Sequence, residues 1–127
     1  MLSKAMAKVP TIGIVDDDAA VRESLCILLE TQGFEAKSYA SGAEFLRDGV
    51  EVECLILDHN MPGLDGLDFM SELRRRGSNV PTIMITGTKS PRIERLALEL
   101  GIRRVLEKPA SGQLLLGAIH DALGSGR

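Results

Sequence analysis

Short apolar runs alternate along this chain with stretches whose apolar residues recur at helical spacing. Thr11-Ile12-Gly13-Ile14-Val15 has the character of a strand buried on both faces, and Asp16-Asp17-Asp18 stops it. Val21, Leu25, Leu28 and Leu29 then mark one face of a helix, with Asp18 as its N-cap and Gly33 as its stop. Phe34 to Tyr39 reads as a second, more polar strand and Ser41 to Asp48 as a short helix. The run Cys54-Leu55-Ile56-Leu57 is again a buried strand. It ends in Asp58, just ahead of the turn-forming Pro62-Gly63. Leu64 to Arg76 follows as a helix closed by Gly77, its arginines at the negative end of the helix dipole. Pro81 to Thr86 is the fourth strand. Ile93, Leu96, Ala97 and Leu100 mark the next helix, Val105-Leu106 a short fifth strand, and Leu114 to Leu123 the last helix.

Strands alternating with helices predict an α/β fold with a parallel sheet and helices on both faces, because right-handed crossovers allow little else. Neither a repeat nor a linker interrupts the pattern, so residues 10–123 read as one domain, 1–9 as a loose arm and 124–127 as a tail. A length of 127 residues with 44% hydrophobic content suits a single core-forming domain.

Charge narrows the partners. The balance is slightly acidic, 15 basic against 18 acidic residues, with aromatics at 3%, so direct nucleic-acid binding by this chain is not expected. No apolar run approaches the roughly 18 residues of a membrane span, and the N-terminus lacks a signal-peptide core. Cys26 and Cys54 lie in apolar segments and read as buried free thiols, which points to the cytoplasm.

The polar residues fall in a telling place. In open α/β sheets ligands bind beyond the carboxyl ends of the strands, where strand order reverses. Asp16 and Asp17 follow the first strand, Asp58 ends the third, Thr86 ends the fourth and Lys108 follows the fifth, so all share one rim. Crowded carboxylates repel unless a cation joins them, and Mg²⁺ with oxygen ligands and several waters meets that need. Lys108 and the Thr86 hydroxyl remain as a point cation and a donor suited to phosphoryl oxygens.

The motifs Val15-Asp16-Asp17-Asp18, Leu57-Asp58-His59-Asn60-Met61-Pro62-Gly63-Leu64-Asp65-Gly66, Ile85-Thr86-Gly87 and Glu107-Lys108-Pro109 occur in the order found in receiver domains of two-component response regulators. The chain resembles that family over nearly its whole length. The words Val21-Arg22-Glu23-Ser24-Leu25 and Tyr39-Ala40-Ser41-Gly42 look most like receivers of nitrogen-fixation and nitrate type transcriptional regulators.

The resemblance implies a flavodoxin-like (βα)5 doubly wound parallel sheet with strand order 2-1-3-4-5, working as a regulatory switch rather than as an enzyme. It implies Asp58 as phosphoacceptor for a sensor histidine kinase or phosphotransfer protein. Asp17, Asp58 and the Asn60 carbonyl would hold Mg²⁺ or Mn²⁺, with Asp16 acting through a water. Lys108 would pair with the phosphoryl group and Thr86 would swing in to it. Gly87 would leave the next loop free, and Pro109 would follow a cis peptide bond. Asn60 and Thr88 match positions that tune the lifetime of the phosphorylated state. Val105 stands where the family usually carries the aromatic ring coupled to Thr86, so the conformational readout is expected to differ from the common pattern. The fourth helix, fifth strand and fifth helix form the expected partner or dimer face.

Other readings compete. Asp58-x-Asn60 begins like a calcium loop, but Pro62 and Phe69 occupy ligand positions, which excludes an EF-hand. Asp16-x-Asp18 resembles the nucleophile motif of haloacid-dehalogenase-type phosphatases, though the chain leaves no room for their cap. A receiver-shaped interaction module that is never phosphorylated is the third reading. His59 reads as an exposed rim residue rather than a metal ligand, and Arg74-Arg75-Arg76 as a solvated helix end. Met61 and Met84 read as packing residues, and no partner is assigned to His120.

Overall fold

The computed structural model describes residues 9–124; the segments expected as arm and tail otherwise lie outside the described residues. Strands β1 (Thr11–Val15), β2 (Glu35–Tyr39), β3 (Cys54–Asp58), β4 (Thr82–Thr86) and β5 (Arg104–Glu107) alternate with five helices. These are α1 (Ala19–Thr31), α2 (Gly42–Asp48), α3 (Gly66–Arg75), α4 (Pro91–Glu99) and α5 (Gly112–Gly124). The strands form one parallel sheet in the order β2-β1-β3-β4-β5, the flavodoxin-like doubly wound arrangement.

Side chains alternate across a strand, and both faces of this sheet are covered. On one face Ile12, Ile14, Ile56, Ile83 and Leu106 pack against Leu29 of α1 and Leu115 and Ile119 of α5. On the other, Val15, Leu57 and Met84 pack against Phe45 of α2, Phe69 and Leu73 of α3 and Ile93 of α4. Burying each such side chain contributes about 1.5–3 kcal/mol relative to exposure. The central strands β1 and β3 are buried throughout, whereas β2, at the sheet edge, is mostly exposed, as its polar sequence requires.

Caps set most helix boundaries. Asp18 accepts hydrogen bonds from the Ala20 and Val21 backbone N–H groups and opens α1. Ser41, Asp65 and Ser90 do the same for α2, α3 and α4. Helix α3 starts two residues later than the apolar pattern predicts. Gly63 turns the chain at φ +81°, Leu64 is exposed, and the Asp65 carboxylate accepts from the Asp68 N–H at 2.9 Å. Helix α5 starts earlier than expected, at Gly112, where Ser111 accepts from the Leu114 N–H.

Cys54 is fully buried, and burial pushes its thiol up to about 12; Cys26, expected to be buried, is only half-buried because it sits on the outer edge of α1's apolar face. His120 packs its ring 5.6 Å from that of Phe34. No helix among the described residues is long and apolar enough to cross a membrane.

Candidate functional site

The strand ladders run on past the strand ends and fix the rim. The Asp16 N–H donates to the Tyr39 carbonyl, the His59 N–H to that of Ile85, and the Lys108 N–H to that of Thr86. The peptide bond between Lys108 and Pro109 is cis, as the motif implied. Asp16 continues the parity of Ile12 and Ile14, Asp58 that of Ile56, and Lys108 that of Leu106. All three therefore project on the α1/α5 side. His59 follows Leu57, Thr86 follows Met84, and both belong to the opposite side together with Val105.

On the first side the charged residues converge. Carboxylate oxygens of Asp16, Asp17 and Asp58 lie within 4.8 Å of one another, the one such group of potential metal ligands among the described residues. Asp58 is only 3% exposed. Its Oδ1 accepts from the Lys108 ammonium at 2.8 Å and from the Asn60 N–H at 3.1 Å. Asp16 is buried and accepts from the Asp18 N–H at 2.8 Å, while its carbonyl takes the Arg22 guanidinium at 2.7 Å.

Burial, followed by the charges of Asp58 and Asp17, raises Asp16 above the ordinary carboxylate range, against the pull of the Asp18 N–H and of Lys108. One ammonium thus faces three carboxylates. The donor set is all oxygen and the surplus charge negative, which fits a hard divalent cation. These residues line an open cleft of about 710 Å³ whose far wall is apolar, with Val21, Leu25 and Leu115.

Thr86 is at the rim as expected, yet fully buried and outside that cleft. Its Oγ1 accepts from the Thr88 N–H at 3.1 Å and lies 3.4 Å from Asn60 Oδ1 and 3.3 Å from His59 Nδ1. Asn60 Oδ1 also accepts from the Gly87 N–H at 2.7 Å, tying the β3 and β4 loops together. An alanine Cβ at Gly87 would sit 3.5 Å from that oxygen, an ordinary contact. Val105 is half-buried against the second core and puts no ring there.

Two residues behave otherwise than expected, and a third carries a constraint that the motif does not announce. His59 is buried, not an exposed rim residue, because its parity turns it into the angle between α3 and Thr86. Arg74 is not a solvated helix end. Its guanidinium caps the carbonyls of Ser78, Val80, Leu100 and Gly101, and burial, then Arg103, lowers its pKa. Arg75 and Arg76 do face solvent, paired with Glu72. At Gly66 a Cβ would meet the His59 Cα at 2.8 Å, so α3 begins in direct backbone contact with the loop after Asp58.

Residues 12–120 match the response regulator receiver domain. The transcriptional regulatory protein FixJ of Azorhizobium caulinodans is 37% identical over 115 residues, covering 89% of this chain and 54% of FixJ. The chain spans about half the length of the curated relatives it matches. The crystal structure of FixJ-N superposes with a TM-score of 0.82 at 31% identity, over 92% of this chain and 95% of that one. The chemotaxis protein CheY4 of Vibrio cholerae does so with a TM-score of 0.85 at 26% identity, over 91% and 100%. The fold, the rim and these similarities agree: the chain belongs to the response regulator receiver domains, the phosphoacceptor switches of two-component systems, which regulate rather than act as classical enzymes.

Proposed function

We propose that Asp58 is the phosphoacceptor and that the donor is a phosphohistidine on a sensor histidine kinase or phosphotransfer protein. A carboxylate oxygen of Asp58 attacks phosphorus, the phosphorus–nitrogen bond to the donor imidazole breaks, and its electron pair returns to the ring nitrogen. The Lys108 ammonium, already 2.8 Å from Asp58, takes up the charge of the arriving phosphoryl oxygens. Asp17, Asp58 and the Asn60 carbonyl would hold Mg²⁺ or Mn²⁺, with Asp16 holding a bound water. Bound by these residues, such an ion would offset the negative charge that builds up during the transfer.

Thr86 turns its hydroxyl from Asn60 and His59 toward the phosphoryl group, the step that converts modification into a change of shape. Asn60 and Thr88, which hold Thr86 at rest, set how easily water reaches the acyl phosphate. With Val105 in place of a ring, the α4, β5 and α5 surface reads out that step by packing rather than by ring rotation, and it is the face for a partner or a second copy. FixJ is named a transcriptional regulatory protein, and we place this receiver in the same kind of cytoplasmic service.

The observation that carries this reading is the buried Asp58 carboxylate held by Lys108 within reach of two further carboxylates. Incubation with acetyl phosphate and Mg²⁺, followed by intact mass, tests it. The wild-type chain should gain one phosphoryl group, and Asp58→Asn should gain none. No added mass on the wild type would favour a docking module that is not phosphorylated. Phosphorylation surviving in Asp58→Asn would favour a phosphatase-like chemistry at Asp16.

A further inference from the structure

The Asp58 carboxylate and the Thr86 hydroxyl stand on opposite faces of the sheet, so movement of one toward the other must vacate a site on the α3/α4 side. Besides Asn60 and Thr88, what Thr86 leaves there is the buried imidazole of His59. We infer that His59 is a positioning residue that helps Asn60 and Thr88 hold Thr86 at rest and that carries its displacement to the first turn of α3. The inference rests on the roles of Asp58 and Thr86 proposed above and adds the path by which their change leaves the site.

Both ring nitrogens face an oxygen. Nδ1 lies 3.3 Å from Thr86 Oγ1, and Nε2 faces Asp65 Oδ2 at 3.7 Å. Nδ1 and the Thr86 hydroxyl are within hydrogen-bond distance of each other, and that hydroxyl also donates to Asn60 Oδ1 at 3.4 Å. Asp65 is also the N-cap of α3, accepting from the Asp68 N–H. A shift of the ring therefore bears on the cap. There is little slack in the backbone to absorb it, because Gly66 begins α3 against the His59 Cα.

When Thr86 turns away, Nδ1 is left a buried polar nitrogen without its Thr86 partner, an unfavourable state that the ring relieves by moving. A cleft of about 390 Å³ between α3 and α4, lined by His59, Leu67, Asp68 and Leu96, gives it somewhere to go. On this face Val105 offers no ring to follow Thr86, so the ring that stands beside the hydroxyl is that of His59.

Amide spectra of the isotope-labelled full chain, with and without Mg²⁺ and beryllofluoride as a tetrahedral stand-in for the phosphoryl group, test the path. In the wild type, signals of Asp58 and Lys108 should shift together with those of Gly66 to Asp68. His59→Phe keeps a ring but no nitrogen: the Asp58 and Lys108 shifts should persist while the Gly66 to Asp68 shifts are lost. His59→Gln supplies one donor and one acceptor and should recover at least half of them. Full α3 shifts in His59→Phe, or their equal loss in both variants, would overturn the inference while leaving Asp58 as phosphoacceptor intact. Absence of any Asp58 or Lys108 shift in the wild type would overturn both.

Discussion

Lys108 is 40% exposed, yet its ammonium ends on a carboxylate that is almost wholly buried, so solvent screens the pair from one side only. Such a residue is placed by its backbone, here the bond from its N–H to the Thr86 carbonyl, more than by its charge. The same residue-by-residue logic applies at the far edge of the sheet. Tyr39, the single tyrosine of the chain, is buried, donates to Asp48 Oδ2 at 2.6 Å and packs edge-on against Phe45. Burial first, and then Asp48, push its phenol up to about 12. The fold thus favours the neutral phenol. That stabilisation is complete below about pH 10, where an unfolded tyrosine ionises. It is lost as pH rises toward about 12. Absorbance titration should place the native phenolate transition near 12 and the denatured one near 10. A native transition at the denatured position would show that the ring is neither buried nor bonded to Asp48.

At the scale of elements, α3 carries the tightest constraint. An alanine Cβ at Gly66 would lie 2.8 Å from the His59 Cα and 3.1 Å from the Asp58 carbonyl oxygen, and backbone cannot step aside as a side chain can. Gly66→Ala should lower stability by about 1–3 kcal/mol through overpacking. It should also slow phosphorylation by displacing Asp58. Gly87→Ala, which meets only an ordinary contact, should leave the denaturation midpoint unchanged. Equal midpoints for the two variants would contradict the close approach of α3 to the loop. The order of elements was readable beforehand because strand runs, caps such as Asp18 and Ser41, and stops such as Gly33 and Gly77 act through neighbours in sequence. The places of Arg74, His59 and Gly66 are not legible in the sequence because their partners lie far along the chain or across a turn. Arg74 bonds Leu100, and His59 meets Thr86, contacts that no local pattern announces.

Across the whole molecule, a sheet covered on both sides divides the site in two. Parity sends Asp16, Asp58 and Lys108 to the α1/α5 face and Thr86, His59 and Val105 to the α3/α4 face. The motifs foretold which residues gather at the rim; the division between faces emerges only when each strand's register is known. In the function proposed above, chemistry falls on one face and response on the other. The claim beneath it is that the carboxylate ending the middle strand, and no other, receives the phosphoryl group. Borohydride reduces an aspartyl phosphate to homoserine and so marks the residue that carried it. After treatment with acetyl phosphate and Mg²⁺, reduction, and peptide sequencing by mass spectrometry, the mark should appear at Asp58 alone. A mark at Asp16 or Asp17, or no mark in a chain that remains folded, would contradict the account.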